Sequence, residues 1–105
     1  EYVPTARPGS RAPHVWLEAT RSTLDLFGRH FTLLCLAEDA GGSAQLLAAA
    51  EAAHMPLDVV HVVDPKVLAA YERRFVLVRP DGHVAWRGDR LDKDLRRLID
   101  TVRGA

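Results

Sequence analysis

Cys35 is the chain's single cysteine, and the reactive form of a cysteine is the thiolate. A thiolate needs electropositive, accessible surroundings, such as the free amides at the start of a helix. Cys35 instead stands inside Phe31–Ala37 (F-T-L-L-C-L-A), an apolar run in which a cysteine packs as a small hydrophobe. The stretch that should open the next helix, Glu38 to Ser43, has no cysteine. Its Glu38 and Asp39 would oppose a nearby negative charge. This pattern argues against thiol–disulfide exchange.

The other candidates read as structural in the same way. His14, His30, His54, His61 and His83 show neither His-x-His nor i, i+4 spacing, so no metal site is predicted. His61 stands among valines, where a hydrogen-bonded structural histidine is favoured over a catalytic one. His83 follows a turn and should be solvated. Ser22, Thr23 and Ser43 suit caps and turns better than nucleophiles. The glycines never reach G-x-G-x-x-G or P-loop spacing, so no nucleotide site is predicted. Arg73-Arg74 and Arg96-Arg97 read as solvated charges that a partner surface could also use. Trp16 and Trp86 are either core anchors or interface centres. No residue is assigned a catalytic, cofactor-binding or metal-binding role.

Length and charge bound the rest. The chain has 105 residues, enough for one domain with its own core. Lys+Arg and Asp+Glu are equal at 14 each, which lacks the basic footprint of a nucleic-acid binder. No apolar run approaches the ~18 residues of a membrane span, and a lone cysteine cannot form an internal disulfide, so a cytoplasmic setting is expected. A start at Glu1 rather than Met is compatible with a fragment of a longer polypeptide.

The elements follow from local signals. Residues 1–13 hold Pro4, Pro8 and Pro13 and read as an extended linker, leaving 14–105 as the domain. A short strand is predicted around Val15–Leu17. Ser22 with Asp25 fits a capping box for a one- to two-turn helix at 23–27, with a strand as the alternative. Phe31–Ala37 is a buried strand. Ser43 is the expected N-cap of an alanine-rich helix through Ala53, stopped by Met55-Pro56. Asp58–Val63 is the next strand. Asp64-Pro65 pairs an N-cap with proline at the first helical position, predicting a helix from 65 to about Glu72.

The firmest signal is R-F-V-L-V-R-P-D-G-H-V-A-W-R-G at 74–88. Phe75–Val78 reads as a strand buried on both faces. Pro80-Asp81-Gly82 makes a three-residue hairpin loop with Gly82 left-handed. His83, Ala85 and Arg87 then alternate with Val84 and Trp86, predicting one buried face and a place near the sheet edge. Asp89 is the expected cap of a last helix with its stripe on Leu91, Leu95, Leu98, Ile99 and Val102.

The core order is thus β-α-β-α-β-β-α. Parallel crossovers followed by an antiparallel hairpin predict an α/β, thioredoxin-like fold. Its centre is a mixed sheet of about four strands with helices on both faces, lacking a Cys-x-x-Cys motif.

Three segments carry a family resemblance: P-G-S-R-A-P-H-V-W-L (8–17), S-T-L-D-L-F-G with F-T-L-L (22–34), and above all F-V-L-V-R-P-D-G-H-V-A-W-R-G (75–88). They resemble the C-terminal domain of FAD-dependent aromatic-ring hydroxylases, the phenol hydroxylase and p-hydroxybenzoate hydroxylase-like flavin monooxygenases. The resemblance implies a parent enzyme that binds FAD, takes hydride from NAD(P)H and inserts one oxygen atom of O2 into an aromatic ring. Its flavin-binding and substrate domains would lie upstream. No flavin motif of the family falls on this chain, so no catalytic residue is carried over and no cofactor is expected within it. The leading reading is a non-catalytic accessory domain serving stability or subunit and interdomain contacts, with a homodimer as one option. A free-standing, redox-inactive thioredoxin-like adaptor is the alternative.

One expectation can be tested on the thiol itself. Cys35 should react slowly with a thiol reagent in the folded protein and rapidly after unfolding. Fast, stoichiometric labelling of the folded chain would overturn its assignment to the core.

Overall fold

The structure, a computed structural model, describes residues 9–18, 21–37, 42–91 and 95–103. A small antiparallel pair comes first, β1 (Trp16–Glu18) with β2 (Arg21–Ser22), followed by a 3-10 turn at Thr23–Leu26. The main elements are β3 (Phe31–Cys35), α1 (Ser43–Ala52), β4 (Leu57–His61), α2 (Pro65–Tyr71), β5 (Phe75–Val78), β6 (Val84–Gly88) and α3 (Leu95–Val102). Four of the strands form one sheet in the order β4-β3-β5-β6. β3 runs parallel to β4 and antiparallel to β5, and β5 antiparallel to β6. This is the thioredoxin-like arrangement expected from the order of elements.

Period-2 alternation divides the central strands between two cores. Leu33, Cys35, Phe75 and Leu77 face α1 and α3, joining Leu46, Ala50 and Ile99. Leu34, Leu36, Val76 and Val78 face the other way, joining Val67 and Tyr71 of α2. Each strand is therefore a continuous apolar run because both of its faces are covered. Full burial of each such side chain stabilises the fold by roughly 1.5–3 kcal/mol, so the central strands dominate the energetics. β4 and β6 are the edges, and their side chains are correspondingly less buried.

The hairpin forms as predicted at its turn. The Gly82 amide bonds the Arg79 carbonyl at 2.9 Å, and the Arg79 amide bonds the His83 carbonyl at 2.8 Å. Gly82 is left-handed at φ +85°. The strand that follows differs from the simple alternation. Val78 pairs with Val84, but Leu77 pairs with Trp86, so a bulge at Ala85 shifts the phase by one. Val84 consequently joins the α2 side, and Trp86 packs on the α1/α3 side. A single buried face carrying both residues is not what forms.

Helix ends correct several local expectations. The N-cap of α1 is Gly42, left-handed at φ 97°, with no side-chain cap; Ser43 is instead the first helical residue. An N-cap residue needs non-helical backbone, and Ser43 is already inside the helix. The far end of α1 closes as a Schellman motif. His54 takes φ 58°, its amide bonds the Glu51 carbonyl, and the Met55 amide bonds the Ala50 carbonyl. The helix has thus ended before Pro56 is reached. Asp64 caps α2 as expected, accepting from the Lys66 amide at 2.9 Å. The start of α3 lies outside the described residues, so the expected Asp89 cap does too; the Asp89 carboxylate accepts from the Arg74 amide at 3.1 Å. Leu91 precedes the described helix but is still buried in the α1/α3 core. The 23–27 helix is a 3-10 turn, with Ser22 Oγ accepting from the Leu24 amide at 3.2 Å.

Of the proline-containing segment, residues 1–8 lie outside the described residues, and Gly9–Pro13 runs along the hairpin. The Gly9 and Ala12 amides bond the Val84 and Gly82 carbonyls, and the Val84 amide bonds the Ser10 carbonyl. Ala12 and Pro13 are buried there. The Pro13 carbonyl accepts from the Tyr71 hydroxyl at 2.6 Å and from the Thr23 hydroxyl at 2.8 Å. Thr23 Oγ also accepts from the Val15 amide at 3.0 Å. This buried polar group ties the entering segment, the 3-10 turn and α2 together.

Two outcomes follow from these contacts. The Gly82→Ala variant should lose roughly 1–2 kcal/mol through left-handed backbone strain, since Arg11 Nη1 at 3.6 Å leaves space for a Cβ. Parent-like stability in urea titration would disprove the turn. Tyr71→Phe should lose about 1–2 kcal/mol by removing a buried hydrogen bond. Burial pushes the Tyr71 hydroxyl from 10.0 up to about 12, outweighing the opposing Thr23 hydrogen bond. The folded state holds the phenol neutral, so this contribution is complete below the unfolded value and is lost as pH rises from 10.0 to about 12. Phenolate absorbance of Tyr71 appearing near 10 in folded protein would refute this.

Candidate functional site

Cys35 ends β3 with no exposed surface, inside the α1/α3 core. Burial alone pushes its thiol up, so the thiolate is disfavoured where a redox enzyme would need it. Of the stretch Glu38–Ser43, only Gly42 and Ser43 lie among the described residues. His61 pairs in register with Cys35 but is exposed at the end of the edge strand. It is therefore solvated, not a buried structural histidine, because β4 has a neighbour on one side only.

The remaining histidines are separate from one another in role. His14 packs edge-on against Trp16, ring centroids 4.8 Å apart. His30 Nδ1 lies 3.3 Å from an Asp58 carboxylate oxygen. His83 is half-buried, and its buried Nδ1 lies 3.2 Å from Asp81 Oδ1 without hydrogen-bond alignment. The His83 backbone amide, bonding the same carboxylate at 3.0 Å, holds Asp81 below the usual carboxylate range, with Arg79 helping. Among the described residues no group of three or more His, Cys, Asp or Glu could hold a metal. No helix among them is long and apolar enough to cross a membrane.

One opening among the described residues, of about 450 Å³, lies between the hairpin and α3, with Arg79, Asp81, His83 and Thr101 on its walls. Another, of about 440 Å³, lies at the C-terminal ends of α1 and α3, with Arg29, His30, His54 and Arg103 beside Phe31 and Met55. Arg103 is committed there, donating to the Ala53 carbonyl at 2.8 Å. Neither opening reaches the N-terminus of α1.

A helix start can hold a pyrophosphate on its free amides. At α1 a Cβ placed on Gly42 would come 3.1 Å from the Leu91 Cβ, so among the described residues a buried leucine packs against this end, a neighbour that does not suit a diphosphate.

The arginine pairs are surface groups. Arg73 donates to the Glu72 carbonyl at 2.8 Å, and Arg96 meets Asp100 one turn on at 3.6 Å. Exposed pairs of this kind contribute at most about 1 kcal/mol. Arg87, less exposed, reaches Glu72 at 2.8 Å. The tryptophans part company: Trp86 packs on the core, while Trp16 is 55% exposed. Sequence reasoning missed the Tyr71–Pro13–Thr23 group. Its one local signal was a tyrosine four residues after Val67 on the inward stripe of α2, where a buried phenol must find an acceptor.

The comparisons agree with this geometry. A family model described as aromatic-ring hydroxylase, C-terminal, matches residues 5–105. The FAD-dependent monooxygenase apdD of Emericella nidulans is 40% identical over 112 residues, covering 99% of this chain and 18% of that protein. The solved rebeccamycin biosynthetic enzyme RebC with reduced flavin is 53% identical, with a TM-score of 0.95 over 100% of this chain and 20% of its own. Aklavinone-11 hydroxylase, solved with FAD and aklavinone, is 37% identical with a TM-score of 0.71, over 95% of this chain and 21% of its own. The chain thus spans about one fifth of the length of these relatives. It corresponds to the C-terminal part of FAD-dependent monooxygenases. With its thioredoxin-like sheet and a match over residues 5–105, the chain belongs to the C-terminal domain family of the aromatic-ring hydroxylases.

Proposed function

We propose that this chain is the accessory C-terminal domain of an FAD- and NAD(P)H-dependent aromatic-ring monooxygenase in the cytoplasm. Its role is stabilising and contact-forming, and the chemistry belongs to flavin-binding and substrate domains upstream. The observation that carries this reading is the match along the chain's length to about one fifth of flavoprotein relatives. The site geometry supports it: the position that would do thiol chemistry is a buried Cys35, and a buried Leu91 packs against the start of α1.

The bound flavin of the whole enzyme supplies hydride acceptance and oxygen activation. What this chain's own residues do is hold a rigid two-core domain and present its surface to the rest of the polypeptide. Residues 1–13 form the connection and 14–105 the body, although Gly9–Pro13 is already packed against the hairpin.

Titrating FAD into the 105-residue chain while following flavin fluorescence tests the assignment. No saturable binding is expected at micromolar FAD, whereas the full-length polypeptide should hold FAD and oxidise NAD(P)H with an aromatic substrate. Saturable binding to the fragment would place a cofactor site in this domain and overturn the reading.

A further inference from the structure

The exposed large hydrophobics among the described residues are Trp16, Leu24, Val63 and Leu68. All four belong to one layer: β1, the 3-10 turn, the entry to α2, and α2 itself. At each place the neighbouring residue has taken the inward position. Val15 and Leu17 flank Trp16, Leu26 follows Leu24, Val62 precedes Val63, and Val67 precedes Leu68; each of these inward neighbours packs into the α2-side core. The outward positions are apolar as well. Lys66 Nζ, 3.5 Å from the Trp16 carbonyl, joins α2 to β1 across this layer. The α1/α3 layer differs in having no large exposed hydrophobic among the described residues; α1 presents Ala44, Gln45, Ala48 and Glu51 to solvent, and α3 presents Arg96, Arg97 and Asp100.

We propose that the Trp16–Leu68 face is the docking surface for the flavin- and substrate-binding portion of this chain's own polypeptide. The inference rests on the accessory-domain reading and names the surface that reading requires. Three observations choose this occupant. The relatives carry about four-fifths of their length outside the matched region. The connecting segment passes along the hairpin at Gly9–Ala12 before it reaches His14 and Trp16, so an upstream body is tethered through residues 1–13 ahead of Trp16, at high effective concentration. The face has the composition of an interface centre, a half-exposed tryptophan among aliphatics with a lysine at its edge.

Hydroxyl-radical footprinting of the full-length polypeptide tests it. Labelling of Trp16 in the folded protein is compared with the same protein unfolded in urea, over a dilution series that spans the monomeric range. A free face leaves Trp16 55% exposed, so its labelling would fall only about twofold on folding. A docked face should lower it by about tenfold, as for a fully desolvated anchor, independent of concentration. A twofold fall at all concentrations would overturn the proposal. Protection that disappears on dilution would also overturn it, in favour of a second copy of the chain. Flavin content of the same preparation reads the parent assignment separately: bound FAD with an exposed Trp16 would sink only the docking surface.

Discussion

Two neighbouring strands, β3 and β5, bury side chains on both faces, and a sheet of that kind must be covered twice. On one side α1 and α3 suffice, supplying Leu46, Ala50 and Ile99 over Leu33, Cys35 and Leu77. On the other side α2 is the single α-helix. The area it leaves open is closed by the entering segment, β1 and the 3-10 turn, which bring Ala12, Val15, Leu17 and Leu26. Irregular backbone in such a place carries polar groups out of water, and each needs a partner. The double hydrogen bond onto the Pro13 carbonyl from Tyr71 and Thr23 meets that need.

The functional consequence lies in how the second cover is built. A thin layer of short strand and turn has little depth behind it. Residues alternating with the inward ones therefore reach solvent directly, and here several of them are apolar. The helical cover on the opposite side places small or polar residues of α1 and charged residues of α3 at its outward positions. The two sides of the domain thus differ in how large their exposed apolar side chains are.

The chemistry of the chain was legible in the sequence mainly as residues without a reactive setting. Cys35 in an apolar run reads as core, and its placement at the sheet centre gives the reason: desolvation raises the thiol and packing closes access. His61 was not legible. Its valine neighbours look the same whether a strand is central or at an edge, and strand order decides the difference. The Pro13–Tyr71–Thr23 group was also hidden, because its members are 58 and 10 residues apart along the chain. Local spacing carries no information about such a meeting.

What the sequence determined by itself is the set of elements whose causes are local. The hairpin turn follows from Pro80-Asp81-Gly82, the start of α2 from Asp64-Pro65, and the two-faced strands from continuous apolar runs. From these come the element order and the fold. Tertiary structure decided whatever depends on two distant segments competing for one place. Gly42 rather than Ser43 caps α1, with Leu91 packed against that end, and Asp89 bonds the Arg74 amide fifteen residues before it. The bulge at Ala85 sends Val84 and Trp86 to opposite cores. Trp16 could be read as anchor or interface from its type alone; its outward position on β1 was settled only when Val15 and Leu17 took the inward side. Residue type sets what a side chain can do, and the surface that remains uncovered after packing sets what it is left to do.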